Sequence, residues 1–131
     1  EMLVEEITLA INGSLMRGFS LNDTLLSVDA QFVREAQTSD RYRMWSINDQ
    51  YPAMQRVQQG GNHIQVEIWS LTPSALVQVL DKEPPGLCMG KIELQDKQWV
   101  FGILGEDYIC QDMQEITKWG GWRNFQSQLT K

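Results

Sequence analysis

Residues 4–11, VEEITLAI, alternate in polarity: Ile7, Leu9 and Ile11 point one way, Thr8 and Ala10 the other, the period-two pattern of a strand with one side on a core. The run stops at Asn12-Gly13-Ser14, a second glycine follows at Gly18, and Asn22 or Asp23 offers an N-cap for a helix of one or two turns. Residues 30–48, AQFVREAQTSDRYRMWSIN, predict two strands turned back on each other by Thr38-Ser39-Asp40. On the return, Tyr42 and Met44 share one face, and Arg43, Trp45 and Ile47 the other. YPAMQRV reads as a short strand with Pro52 near its start, and QQGGN as a turn. HIQVEIWSL is the strongest strand, with Ile64, Val66 and Ile68 on one face and Gln65, Glu67, Trp69 and Leu71 on the other. TPSALVQVLDKE carries the marks of a helix start: Thr72 as N-cap, Pro73 at the first helical position, and an apolar stripe of Ala75, Leu76, Val79 and Leu80. GKIELQDKQWVFGIL predicts a hairpin turning at Asp96-Lys97, and its second strand, apolar on both faces, is expected to be central. ITKWGGWRNFQSQL places Trp122, Phe125 and Leu129 on one helical stripe after a Gly-Gly pair.

About six strands with two helices and a third short one define an α+β protein: a mostly antiparallel, curled or barrel-like sheet with helices packed at one side. The length fits a single domain over residues 1–131, and a hydrophobic fraction of 42% with five Trp supplies one core. The net charge of −6 argues against nucleic acid and against anionic membrane surfaces, and obliges any bound anion to find local donors. No run reaches the length of a membrane span and no signal-peptide pattern opens the chain, so the expected location is cytoplasmic. Cys88 and Cys110 make neither a disulfide framework nor a metal spacing, and read as two reduced thiols in or near the core, with one disulfide between them as the alternative.

Candidate chemistry is sparse. The loop Asn12-Gly13-Ser14-Leu15 has the composition of a concave turn whose successive N–H groups hold an anion, with Arg17 adding charge; it is equally a turn that satisfies its own backbone. Glu67 is a solvated strand carboxylate, or a proton-transfer group if its face lines a cavity. Asp81 and Glu83 close a helix against the sense of its dipole, either as a solvated turn or for another purpose. Arg43 is a strand-edge residue or a bidentate clamp for a carboxylate. His63 is the only histidine, which leaves no Ser–His or Cys–His couple and no zinc set, so neither a metal nor a cofactor is expected. Trp119-Gly120-Gly121-Trp122 is a lid hinge or a tail helix docked by two tryptophans.

The order of these segments is more specific than any one of them. The succession NGSLMRG, FVREAQTSDRYRMWSI, GGNHIQVEIWSLTPSAL, PPGLCMGKIELQDKQWVFGIL and ITKWGGWRNF resembles the C-terminal domain of allophanate hydrolases from about Ile7 to Phe125, most specifically in VEIWSL, MGKIEL and ITKWGGWR. The resemblance implies the gamma-glutamylcyclotransferase-like fold, a small mixed barrel with helices. In that wider superfamily a Y-G-S-L-like loop holds a substrate carboxylate or carbonyl through backbone N–H groups. Gly13, Ser14 and Leu15 match it, and Asn12 replaces the tyrosine. The cyclotransferases proper carry a catalytic glutamate in an L-D-x-x-E-G-like segment. Here Leu80-Asp81-Lys82-Glu83-Pro84 has its glutamate one residue early and a proline after it, a departure shared with the nearer family. What the nearer family implies is a stand-alone domain of urea and nitrogen metabolism that binds a small carboxylate, carbamate or amide at residues 12–15. Cofactor-free decarboxylation is the reaction it suggests, with Glu67 or Tyr42 as proton donor. The alternatives are a non-catalytic partner of an amidase, or self-association through the tryptophan-rich C-terminus, and a gamma-glutamyl cyclotransferase with Glu83 or Glu67 as base.

Overall fold

A computed structural model describes residues 5–129. Eight strands run in chain order: β1 (Ile7–Ile11), β2 (Gln31–Gln37), β3 (Tyr42–Ile47), β4 (Tyr51–Arg56), β5 (Gln65–Leu71), β6 (Leu87–Glu93), β7 (Trp99–Gly105) and β8 (Gln114–Glu115). The helices are α1 (Asn22–Leu26), α2 (Pro73–Asp81), α3 (Asp107–Cys110) and α4 (Trp122–Leu129), with a 3₁₀ turn at Thr117–Trp119. A five-stranded sheet is ordered β2-β5-β1-β7-β6 and a three-stranded one β4-β3-β8. They meet where Gly105 of β7 backs onto β4: a Cβ at Gly105 would stand 2.6 Å from that of Ala53. The α+β class is as the residue pattern predicts, with the sheets curled against each other but not joined in one ring of strands.

β1 lies in the middle, antiparallel to β5 and parallel to β7. Leu9, Ala10 and Ile11 are all buried, so the end of this strand is covered on both faces rather than one. β7 lies inside the sheet between β1 and β6, although Trp99 and Phe101 in its first half stay exposed, and its hairpin with β6 turns at Asp96-Lys97, where Asp96 Oδ1 accepts from the Gln98 N–H at 3.0 Å. α2 starts as predicted: Thr72 Oγ1 accepts from the Ala75 N–H at 3.1 Å, and Ala75, Leu76 and Val79 face the core. Trp122 and Phe125 dock α4, while Leu129 stays half exposed.

Two expectations fail. β2 and β3 are not a hairpin: β2 pairs with β5, and β3 pairs with β4 and β8. Between them Thr38 is fully buried, exchanging bonds with Ile64 through its N–H and its hydroxyl (both 2.9 Å), so the chain crosses from one sheet to the other there. The tight turn comes later, at Asn48 and Asp49, both at positive φ, with the Gln50 N–H closing on the Ile47 carbonyl at 3.0 Å. Neither Asn22 nor Asp23 caps α1; the cap position is Leu21, and Asn22 Nδ2 donates instead to the Leu15 carbonyl at 2.8 Å.

Candidate functional site

The segment after β1 leaves the sheet with its geometry set by three anchors. Asn12 is buried and donates through Nδ2 to the Ile103 carbonyl of β7 at 3.0 Å. Gly13 presses on the Pro52 ring: a Cβ there would lie 2.5 Å from Pro52 Cδ, so glycine is required for close approach of two chain segments. Ser14 Oγ donates to the Gln50 carbonyl at 3.2 Å. The turn bonds within the loop, Met16 N–H to Gly13 C=O (2.9 Å) and Leu21 N–H to Ser14 C=O (3.2 Å), consume carbonyls and take none of the amides of Gly13, Ser14 and Leu15.

These residues form one wall of a cleft of about 210 Å³. Tyr51 and Pro52 at the start of β4 form a second wall, and Glu83 and Pro84, just past α2, form the third. Ile11, Leu15, Leu21, Leu87 and Ile103 supply an apolar lining, and among the described residues no Lys, Arg or His contributes to it. Glu83 is half-buried, and burial pushes its carboxyl up from the ordinary range, toward the neutral, proton-donating form. Burial also raises the Tyr51 phenol, helped by Tyr108 and then Glu83.

The cleft therefore joins Asn12, Gly13, Ser14 and Leu15 to Glu83, from segments about seventy residues apart in the chain. It does not include the other candidates. Glu67 is neither solvated nor in the cleft: its buried carboxylate accepts four hydrogen bonds, two from Arg17, one from Trp69 and one from Arg123. Arg17 also bridges to Glu35 at 3.2 Å. Tyr42 is fully buried, with its hydroxyl taken by the Glu93 N–H at 2.9 Å. Arg43 pairs in a fork with Glu115, which lowers that carboxyl and raises the guanidinium. His63 Nδ1 bonds the Thr38 carbonyl at 2.8 Å. Tyr51 and Gln50 line the cleft and escaped the reading of the sequence; the Asn48-Asp49 pair, which sets the turn just before them, was the available signal. Cys88 is exposed, Cys110 is buried and pushed up to about 11 by burial and then Asp107, and both are free. Among the described residues no group of three or more His, Cys, Asp or Glu is placed to hold a metal ion, and no helix is long and apolar enough to cross a membrane.

A curled pair of sheets with a glycine-bearing loop at the end of its central strand defines a small cleft-bearing α+β domain. The model of the allophanate hydrolase C-terminal domain matches residues 7–127, and the chain belongs to that family. It is similar to c4763, a uropathogenic E. coli-specific protein of known structure: 44% identity and a TM-score of 0.92, covering 94% of this chain and 97% of that one. The Kluyveromyces lactis allophanate hydrolase structure aligns at 25% identity and a TM-score of 0.89, over 95% of this chain but 22% of that one. The Saccharomyces cerevisiae urea amidolyase is 27% identical over 95% of this chain, which spans 7% of that protein's length. A gamma-glutamyl cyclotransferase structure, 14% identical with a TM-score of 0.54, shares the fold.

Proposed function

We propose that the cleft binds a small carboxylate-, carbamate- or amide-type ligand, of the kind handled in urea and nitrogen metabolism, and that Glu83 hands it a proton. The observation that carries this reading is the pairing of Gly13, Ser14 and Leu15 amides, unused by the loop's own turns, with a half-buried carboxyl across the same cleft. The amides suit a carbonyl or carboxylate oxygen, which meets dipoles here and no cationic side chain. Burial favours the protonated form of Glu83, and that form suits the nitrogen end of a carbamate. Proton transfer to that nitrogen with cleavage of the N–C bond releases an amine and carbon dioxide, and needs no cofactor. Glu83 takes this role in preference to Glu67 and Tyr42, whose polar atoms are engaged elsewhere in the core.

A thermal-shift panel of malonate, biuret, carbamoyl-type mimics, gamma-glutamyl dipeptides and 5-oxoproline tests the binding. A site filled at a hundred times its Kd adds about 2.7 kcal/mol. Leu21→Trp, which adds bulk at the half-exposed rim, should abolish the shift. Release of 5-oxoproline from a gamma-glutamyl dipeptide would favour the cyclotransferase reading with Glu83 as base. The partner-domain reading draws on the fact that this family's domain occupies a fraction of much longer relatives. Absence of any shift across the panel favours it, and capture of an amidase would then be the supporting result.

A further inference from the structure

We propose that Glu67 is a positioning residue for the cleft loop, acting through Arg17 and locked by Arg123 of the C-terminal helix; this deepens the reading of the cleft as a ligand site and rests on it. In register, Glu67 stands directly across from Ile11, the last residue before the loop, on one side and from Glu35 on the other. Two carboxylates facing each other across a sheet repel. Arg17 bridges them, with Nε at 3.1 Å from Glu67 and Nη2 at 3.2 Å from Glu35. The same Glu67 also accepts the backbone N–H of Arg17 at 3.0 Å, so one carboxylate holds that residue by main chain and side chain together. Arg123 closes the arrangement: its Nη2 donates to the Arg17 carbonyl at 2.9 Å and to Glu67 at 3.2 Å. Each guanidinium also covers a ring, Arg17 over Phe32 at 3.6 Å from the centroid and Arg123 over Phe19 at 4.9 Å.

Arg17 lies two residues past Leu15, so the loop is stretched between the end of β1 and this anchor. Asn12, Gly13 and Ser14 fix its first half, and Arg17 fixes its far end, so the direction of the Gly13–Leu15 amides depends on this anchor as well as on those. The C-terminal helix thereby contributes to the shape of a cleft that it does not line.

Amide hydrogen exchange on the full chain tests the proposal, read at Met16, Arg17 and Leu21, whose N–H groups are bonded to Gly13, Glu67 and Ser14. Arg123→Ala should speed exchange at these three amides by about tenfold or more, the signature of local opening. Arg123→Lys, which keeps the positive charge on a single donor nitrogen, should recover part of the protection. Ile92→Val, a core variant on β6, should leave the three amides unchanged relative to the hairpin amides around it. Binding of malonate should weaken in Arg123→Ala and not in Ile92→Val. Unchanged exchange at the three amides in Arg123→Ala, or equal acceleration in Ile92→Val, overturns the proposal. If wild type binds neither malonate nor any other member of the panel the ligand reading fails, and the exchange data still decide whether the clamp holds the loop.

Discussion

Replacing Glu67 with Ala removes the acceptor of four hydrogen bonds at a side chain that is 2% exposed. The four donors do not suffer equally. Arg17 and Arg123 keep side chains 45% and 37% exposed, so water rehydrates much of what they lose. The indole N–H of Trp69, itself buried, has no such recourse. An unsatisfied buried donor costs about 1–3 kcal/mol, and breaking a buried ion pair by removing one partner about 3–5 kcal/mol. The expected loss for Glu67→Ala is therefore about 4 kcal/mol. With an unfolding entropy of about 2.1 cal/mol/K per residue, this corresponds to roughly 15 °C in Tm. The midpoint of urea denaturation should fall by roughly 2 M with an unchanged slope. Glu67→Gln should lose about half as much, because one amide oxygen still accepts from Trp69 and Arg17 while its NH₂ meets the guanidiniums. A loss under about 1 kcal/mol for Glu67→Ala would refute the reasoning, showing that water takes the place of the carboxylate.

Gly13→Ala brings a methyl carbon to 2.5 Å from the Pro52 ring, and the overpacking should cost about 1–3 kcal/mol in the same denaturation assay. Thr72→Ala should cost about 1 kcal/mol by removing the cap on Ala75, with its effect seen as faster amide exchange in the first turn of α2. Burial raises the Glu83 carboxyl above its unfolded value, so the native state binds the proton more tightly and stability falls as pH rises from the unfolded toward the folded value. Glu83→Gln should accordingly raise Tm at pH 7–8, and the gain should vanish at acid pH, where the carboxyl is protonated in both states. A gain that persists undiminished in acid would remove the desolvation argument.

What could be read from the chain followed how local each cause is. The cap at Thr72 and the turn at Asp96-Lys97 depend on neighbours within a few residues, and each declares itself in composition. The crossing at Thr38 does not, because a buried threonine bonded to Ile64 looks in sequence like one more turn residue beside Ser39 and Asp40. Glu67 is the clearest case. Its alternating strand is evident, yet its role is set by Arg17 and Arg123, fifty and fifty-six positions away. Glu83 reaches the cleft only because α2 carries the chain back to the mouth of the loop. Gly13 answers two demands at once: it lets the chain pass against Pro52, and it belongs to the wall of the cleft.

The central claim is that the amides of Gly13, Ser14 and Leu15 receive a small carboxylate- or carbamate-type ligand opposite Glu83. The most direct test is an amide-resolved NMR titration of the full chain with malonate, biuret, carbamoyl-type mimics and 5-oxoproline. The account predicts saturable shifts at those three amides and at Tyr51, produced by at least one member of the panel and absent in Leu21→Trp. Saturable shifts confined to other surfaces, or none with any member of the panel, would contradict it.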